Sequence, residues 1–234
     1  MERLNKAQII LALDVDTLKE AKDFADKLYP KIKIFKVGSH LFTAYGPKII
    51  ELLHKKGAEV FLDLKYLDIP NTVAGAVAAA VKLKVKMLTL HISGGQAMIE
   101  AAVVSAKRQA KASKITRPLL IGVTVLTSQT AKAGEVLALA QQGIACGLDG
   151  VVCSAQEAIA LRRKIKNNFI IITPGIRPDN LSQDDQRRTA TVNEAIKAGS
   201  DFLVIGRPIL KADNPIAKTE EMLGDLSCFG RNSK

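Results

Sequence analysis

Eight short apolar, β-branched runs pass along the chain, and each is followed by a stretch with helical periodicity. The runs are IILALDV (9–15), IKIFKVG (32–38), EVFLDLK (59–65), MLTLHIS (87–93), LLIGVTVL (119–126), GVVCSA (150–155), FIIITPGI (169–176) and DFLVIGRP (201–208). Helical patterns follow at about 17–28, 40–55, 71–84, 95–112, 132–146, 155–166, 189–198 and 214–223. Strand–helix alternation predicts a parallel sheet. Eight such units within 234 residues predict an α/β fold of the closed (β/α)8 TIM-barrel type. A doubly wound open sheet is the alternative, but no glycine-rich turn follows the first run. No linker divides the chain, so a single domain is expected over 1–234, with GDLSCFGRNSK (224–234) as a short polar tail.

A hydrophobic fraction of 47% suits one large buried core. No apolar run reaches the roughly 18 residues of a membrane span. The opening MERLNKAQII lacks the pattern of a secretory leader. Cys146, Cys153 and Cys228 are odd in number and show no metal-like spacing, which points to a reducing, cytoplasmic setting. The net charge of +11 favours phosphates, small or polymeric. Much of it lies in AKRQAKASKITR (106–117) and LRRKIKNN (161–168), which read as solvated outer faces of helices. Few aromatic residues interleave with these stretches, so nucleic acid is not an expected partner.

Side chains of a strand alternate between its faces. In VFLDLK, Phe61, Asp63 and Lys65 therefore share the face opposite Val60, Leu62 and Leu64. If the apolar face packs on helices, Asp63 and Lys65 point into the barrel near its C-terminal mouth, where active sites of this fold sit. Asp14 and Lys36 close the first two runs in the same way. Four groups of alternating sign would then crowd the ends of three consecutive strands. A purely structural ion-pair network is one reading and a catalytic cluster the other.

The opposite half of the chain supplies TPGIRP (173–178) after the seventh run and IGRP (205–208) at the end of the eighth. Loops in these places often hold phosphate in this fold. Glycine lets backbone N–H groups approach an anion, and arginine offers a planar, permanently charged fork. No metal-ligand cluster is visible, although acidic groups at a barrel mouth could hold Mg²⁺. His40, His54 and His91 are scattered; His91 could line the site or simply pack. The residues alone thus describe a barrel enzyme that grips a phosphorylated small molecule at one side and presents carboxylates and lysines at the other.

The run DLKYLDIPNT (63–72) resembles the D-x-K-x-x-D-I-P-N-T signature of the orotidine 5′-phosphate decarboxylase family. LALDV, KVG, LTS (126–128), TPGIRP followed by DDQRR, and VIGRP agree in order along nearly the whole chain. The resemblance implies decarboxylation of orotidine 5′-monophosphate to uridine 5′-monophosphate (UMP), the last step of de novo pyrimidine synthesis, without metal or organic cofactor. It implies a homodimer with sites at the interface. Matched by motif, Lys65, Asp63, Lys36 and Asp68 form the catalytic network. Lys65 delivers a proton to C6, and Asp63 sits by the departing carboxylate. Asp14 and Lys36 hold the ribose. Asp68 and Thr72 reach the neighbouring subunit's site, and Ile69 joins the substrate contacts. Thr127 and Ser128 match the pyrimidine-contacting segment. Arg177, Gln186, Gly206 and Arg207 match the phosphate side, with Pro174 in the same loop. Sugar-phosphate decarboxylases and aldolases that keep D-x-K-x-x-D are the nearest alternative, and a non-catalytic phosphate binder is the more distant one.

Overall fold

In the computed structural model, which describes residues 7–126, 134–178 and 188–229, eight parallel strands close into a barrel in sequence order. They are β1 (Gln8–Ala12), β2 (Ile34–Gly38), β3 (Glu59–Tyr66), β4 (Met87–His91), β5 (Leu119–Val123), β6 (Gly150–Val152), β7 (Ile170–Thr173) and β8 (Phe202–Ile205). Closure comes from β8 pairing with β1, Ile10 opposite Val204 and Leu11 opposite Ile205. The TIM barrel expected from the alternation is the observed fold.

Period-two patterning divides each strand between two apolar layers. Ile10, Ile34, Phe61, Met87, Ile121, Ile170, Ile172, Phe202 and Val204 fill the barrel. Their neighbours Leu11, Phe35, Val60, Leu62, Leu88, Leu120, Val151, Ile171 and Leu203 face outward into the layer shared with the helices. Both faces are buried, which accounts for the nearly continuous apolar runs.

Helices α1 (Leu18–Leu28), α2 (Ser39–Tyr45), α3 (Pro47–Lys55), α4 (Pro70–Lys82), α5 (Gly95–Ser113), α6 (Glu135–Ala145), α7 (Ala155–Lys164), α8 (Val192–Lys197), α9 (Arg207–Leu210) and α10 (Pro215–Phe229) follow the strands. Local signals set several boundaries. Thr17 and Thr191 cap α1 and α8, each paired with a glutamate three residues on that reaches back to the cap N–H. Pro70 begins α4, where its missing N–H costs nothing.

Four expectations need correction. The single helix expected at 40–55 is two. Gly46 adopts φ +56° and Pro47 starts a new helix, because a residue before proline is driven out of the α region. IGRP is not all strand: β8 stops at Ile205, and Arg207 is already the first residue of α9. The tail expected from 224 begins as helix, since α10 runs to Phe229 and Leu226 is buried. The basic stretches are not wholly solvated. Arg117 forms a fork on Asp149 at 2.6 and 2.8 Å. Arg162 lies 4.7 Å over the Phe169 ring and donates to the Gly199 and Phe169 carbonyls and to Asp201. No helix among the described residues is long and apolar enough to cross a membrane.

Candidate active site

The C-terminal mouth of the barrel holds a cavity of about 210 Å³. Phe61, Ala12, Val123, Val152, Ile172 and Val204 supply apolar lining from inside the barrel, and charged groups stand at two sides. On one side the register places Ala12 level with Lys36, and Gly38 level with Asp63. Lys36 and Asp63 therefore rise from neighbouring strands into the same space. Asp14, just past β1, and Lys65, near the end of β3, complete the group.

These four form a chain of alternating charge. Lys36 Nζ lies 3.3 Å from Asp14 Oδ1 and 3.6 Å from Asp63 Oδ2, and Lys65 Nζ donates to Asp63 Oδ2 at 2.9 Å. The side chains of Lys36 and Asp63 are each only 12% exposed, against 37% for Lys65 and 59% for Asp14. All four line the cavity, Asp14 and Lys65 as the more exposed members. Burial pushes the Asp63 carboxyl up, but the charges of Lys36 and Lys65 and the bonds from Lys65 and Thr89 outweigh it and hold the group below the ordinary aspartate value. Asp63 stays ionised, and a fixed carboxylate aims the Lys65 ammonium.

The local backbone is irregular at this point. Between β3 and β4 the pairing slips from Leu62–Leu88 to Tyr66–Leu90. Lys65 sits in that slip with φ +51°, a left-handed conformation that costs a side-chain-bearing residue of order 1–3 kcal/mol. Thr89 secures it. Its hydroxyl accepts the Lys65 backbone N–H at 2.9 Å and donates to Asp63 Oδ1 at 2.9 Å. Thr89 is fully buried and was not among the residues singled out in the sequence. Its place two residues before His91, on the inward face of MLTLHIS, was the available signal. His91 ends β4 half-buried; burial lowers its pKa, as does the Lys65 charge, while Asp63 opposes them.

The loops after β7 and β8, four and three strands from β3 in the ring of eight, close the other side. Pro174, Gly175, Arg177, Gly206 and Arg207 all line the cavity. Gly175 has φ +78°, and Arg177 is buried with its Nη1 donating to the Ile176 carbonyl. A β-carbon on Gly206 would touch Ala12 and Asp14 at 3.4 Å and intrude on the cavity.

The structure thus brings together Asp14, Lys36, Asp63, Lys65, Pro174, Arg177, Gly206 and Arg207. It does not bring Asp68, Ile69 or Thr72 to this cavity. They lie on an exposed segment, where Asp68 Oδ1 accepts the Ile69 N–H at 2.6 Å and Ile69 is 66% exposed. Within one subunit the charged groups form an Asp14–Lys36–Asp63–Lys65 chain, and Asp68, expected to reach a neighbouring subunit's site, stands apart from it. Thr127, Ser128 and Gln186 lie outside the described residues. Among the described residues no group of three His, Cys, Asp or Glu side chains is placed to hold a metal ion. Cys146 and Cys153 are unbonded thiols.

Comparison with known proteins bears on the whole chain. Residues 7–222 match the model of the orotidine 5′-phosphate decarboxylase / HUMPS family. Orotidine 5′-phosphate decarboxylase of Vibrio cholerae is 46% identical over 95% of this chain and 100% of its own. The enzyme of that name from Laribacter hongkongensis is 50% identical over 89% and 88%. The crystal structure of orotidine 5′-phosphate decarboxylase from Lactobacillus acidophilus superposes with a TM-score of 0.82 at 35% identity, covering 94% of this chain and 99% of that one. With the barrel and the near full-length matches in accord, the chain belongs to the orotidine 5′-phosphate decarboxylase / HUMPS family.

Proposed function

We propose that the chain converts orotidine 5′-monophosphate to UMP and CO₂, the closing step of pyrimidine nucleotide synthesis. The observation that carries this reading is a cavity with an ammonium–carboxylate chain at one side and an arginine- and glycine-lined wall at the other. The substrate's phosphate belongs at Arg177 and Arg207, and its pyrimidine C6 at Lys65. A metal-dependent sugar-phosphate enzyme of the same barrel type is the competing reading.

The chemistry follows from the substrate. When the C6–carboxylate bond breaks, its electron pair stays on C6 in an orbital lying in the ring plane, which the π system cannot delocalise. The protein then has to stabilise that pair by fixed charge. Lys65 supplies an ammonium beside C6 and transfers a proton from Nζ to the carbanion as CO₂ departs; neutral Lys65 regains a proton from solvent. Asp63 keeps Lys65 aimed, and its charge next to the substrate carboxylate disfavours the bound ground state. Lys36 balances Asp63 and, with Asp14, meets the ribose hydroxyls. The residues carry the reaction without metal or organic cofactor.

Asp68 and Thr72 act in the second site of a homodimer. Supporting this is their place on an exposed segment beside two exposed apolar side chains, Leu67 at 56% and Ile69 at 66%. Such residues favour burial against a partner. The decisive test is loss of the substrate's ultraviolet absorbance when purified protein meets orotidine 5′-monophosphate in EDTA. Turnover under these conditions supports the reading, and a requirement for added divalent metal refutes it.

A further inference from the structure

Arg188, the last residue of the DDQRR motif, does not line the cavity and has no part in the chemistry above. Its surroundings nevertheless set it apart. One arm of the guanidinium pairs with Glu157 Oε1, in the first turn of α7, and the other donates to the Leu126 carbonyl at 3.0 Å. The side chains of Arg188 and Glu157 are only 15% and 18% exposed. The second oxygen of Glu157 is committed too, accepting the backbone N–H and the hydroxyl of Ser154 at 2.8 Å each. Among the described residues, Arg188 Nε is buried without a hydrogen-bond partner. A shielded ion pair gains little over apolar packing, and an orphaned N–H is unfavourable. Stability alone is thus a poor reason for this arrangement.

Geometry offers a better one. A guanidinium holds two acceptors in fixed relation, which an ammonium cannot do. Leu126 and Val125 form the cavity wall beyond β5. Ala190, two residues past Arg188, forms the bridge to Ile176, and its carbonyl accepts the Arg177 N–H at 2.9 Å. Arg188 therefore ties the wall after β5, the start of α7 and the chain beside Arg177 into one unit.

We propose that Arg188 is a positioning residue: its fork pins the Leu126 carbonyl, and through it the β5-side wall, against the phosphate-side chain, so that substrate affinity depends on a residue that touches no substrate. This rests on the reading of the site as a decarboxylase of orotidine 5′-monophosphate. The variants R188A and R188K, compared with the parent, test it through steady-state kinetics, calorimetric titration with UMP and thermal unfolding. R188K keeps the charge beside Glu157 but lacks the second arm. Its unfolding temperature is expected within about 3 °C of the parent. Its kcat/KM is expected to fall by about tenfold or more, chiefly through KM, with a matching loss of UMP affinity. R188A is expected to lose both stability and affinity. An R188K protein within about twofold of the parent in kcat/KM and UMP affinity overturns the proposal. So does one whose affinity falls only in step with its stability. A parent that binds UMP without turning over orotidine 5′-monophosphate overturns instead the reading of the site, and the UMP titrations still decide the role of Arg188.

Discussion

Replacing Thr89 with valine keeps the shape of the side chain and removes one oxygen. That oxygen accepts the N–H of Lys65 and donates to Asp63 at 2.9 Å each. Both partners lie in a part-buried region with poor access to water, and the backbone N–H belongs to a residue in a left-handed conformation. A buried donor left without an acceptor costs about 1–3 kcal/mol, and a hydrogen bond to a charged group contributes about 1.5–3. The two effects share one hydroxyl and do not simply add, so the expected loss is about 2–4 kcal/mol. For a domain of this size that lowers the unfolding midpoint by very roughly 4–16 °C. Freed at its backbone, Lys65 is also misplaced, and displacement of a reacting group by an ångström costs of order 100-fold in rate. Thermal unfolding and kcat/KM for orotidine 5′-monophosphate measure the two effects, with Thr89→Ser as the control that restores the hydroxyl. A valine variant matching the parent in both would refute the idea that Thr89 holds the bulged strand and its lysine.

Arg207→Ala is expected to raise KM for the phosphorylated substrate far more than it lowers kcat, by an amount equivalent to about 1.5–3 kcal/mol of lost charged hydrogen bonding; an unchanged kcat/KM contradicts the assignment. Lys65→Ala and Asp68→Ala homodimers should each be inactive, while mixed dimers regain one intact site; no recovery after verified subunit exchange excludes the cross-subunit role of Asp68. Asp63 is held below its ordinary pKa, so its contribution to stability is fully present above the unfolded value near pH 4 and is lost as pH falls through the lower native value. Asp63→Asn should therefore flatten the acid limb of a stability–pH curve below about pH 4, and a limb identical to the parent's would show that Asp63 is not the group responsible.

The barrel and half of its site were legible in the sequence for one physical reason. Strand periodicity of two puts Phe61, Asp63 and Lys65 on one face, and a charged pair at the end of an apolar strand has only the barrel mouth to occupy. Asp14 and Lys36 follow by the same reasoning. The slip between β3 and β4 was not legible, because it arises from how two strands separated by a helix settle against one another. For Thr89 the sequence offered only its inward parity in MLTLHIS, and the slip that gives its hydroxyl two partners was not written there. Arg117 and Arg162 looked like surface charges because their carboxylate partners, Asp149 and Asp201, lie 32 and 39 residues away in the chain. The break at Gly46–Pro47, by contrast, was written in the local sequence. For Asp68 the motif implied a role that a single subunit does not display, since Asp68 lies on an exposed segment and does not line the cavity of its own chain.

The central claim is that the Lys65 ammonium stabilises and protonates C6. Lys65→Ala, assayed for decarboxylation alongside calorimetric titration with UMP, tests it most directly. General acid catalysis contributes about 10²–10⁴-fold and a preorganised charge about 10²–10³-fold, so kcat is expected to fall by at least about 10⁴-fold. UMP affinity should change by no more than about tenfold, because the group acts on the transition state rather than on bound product. A variant that turns over at near the parent rate would contradict the account.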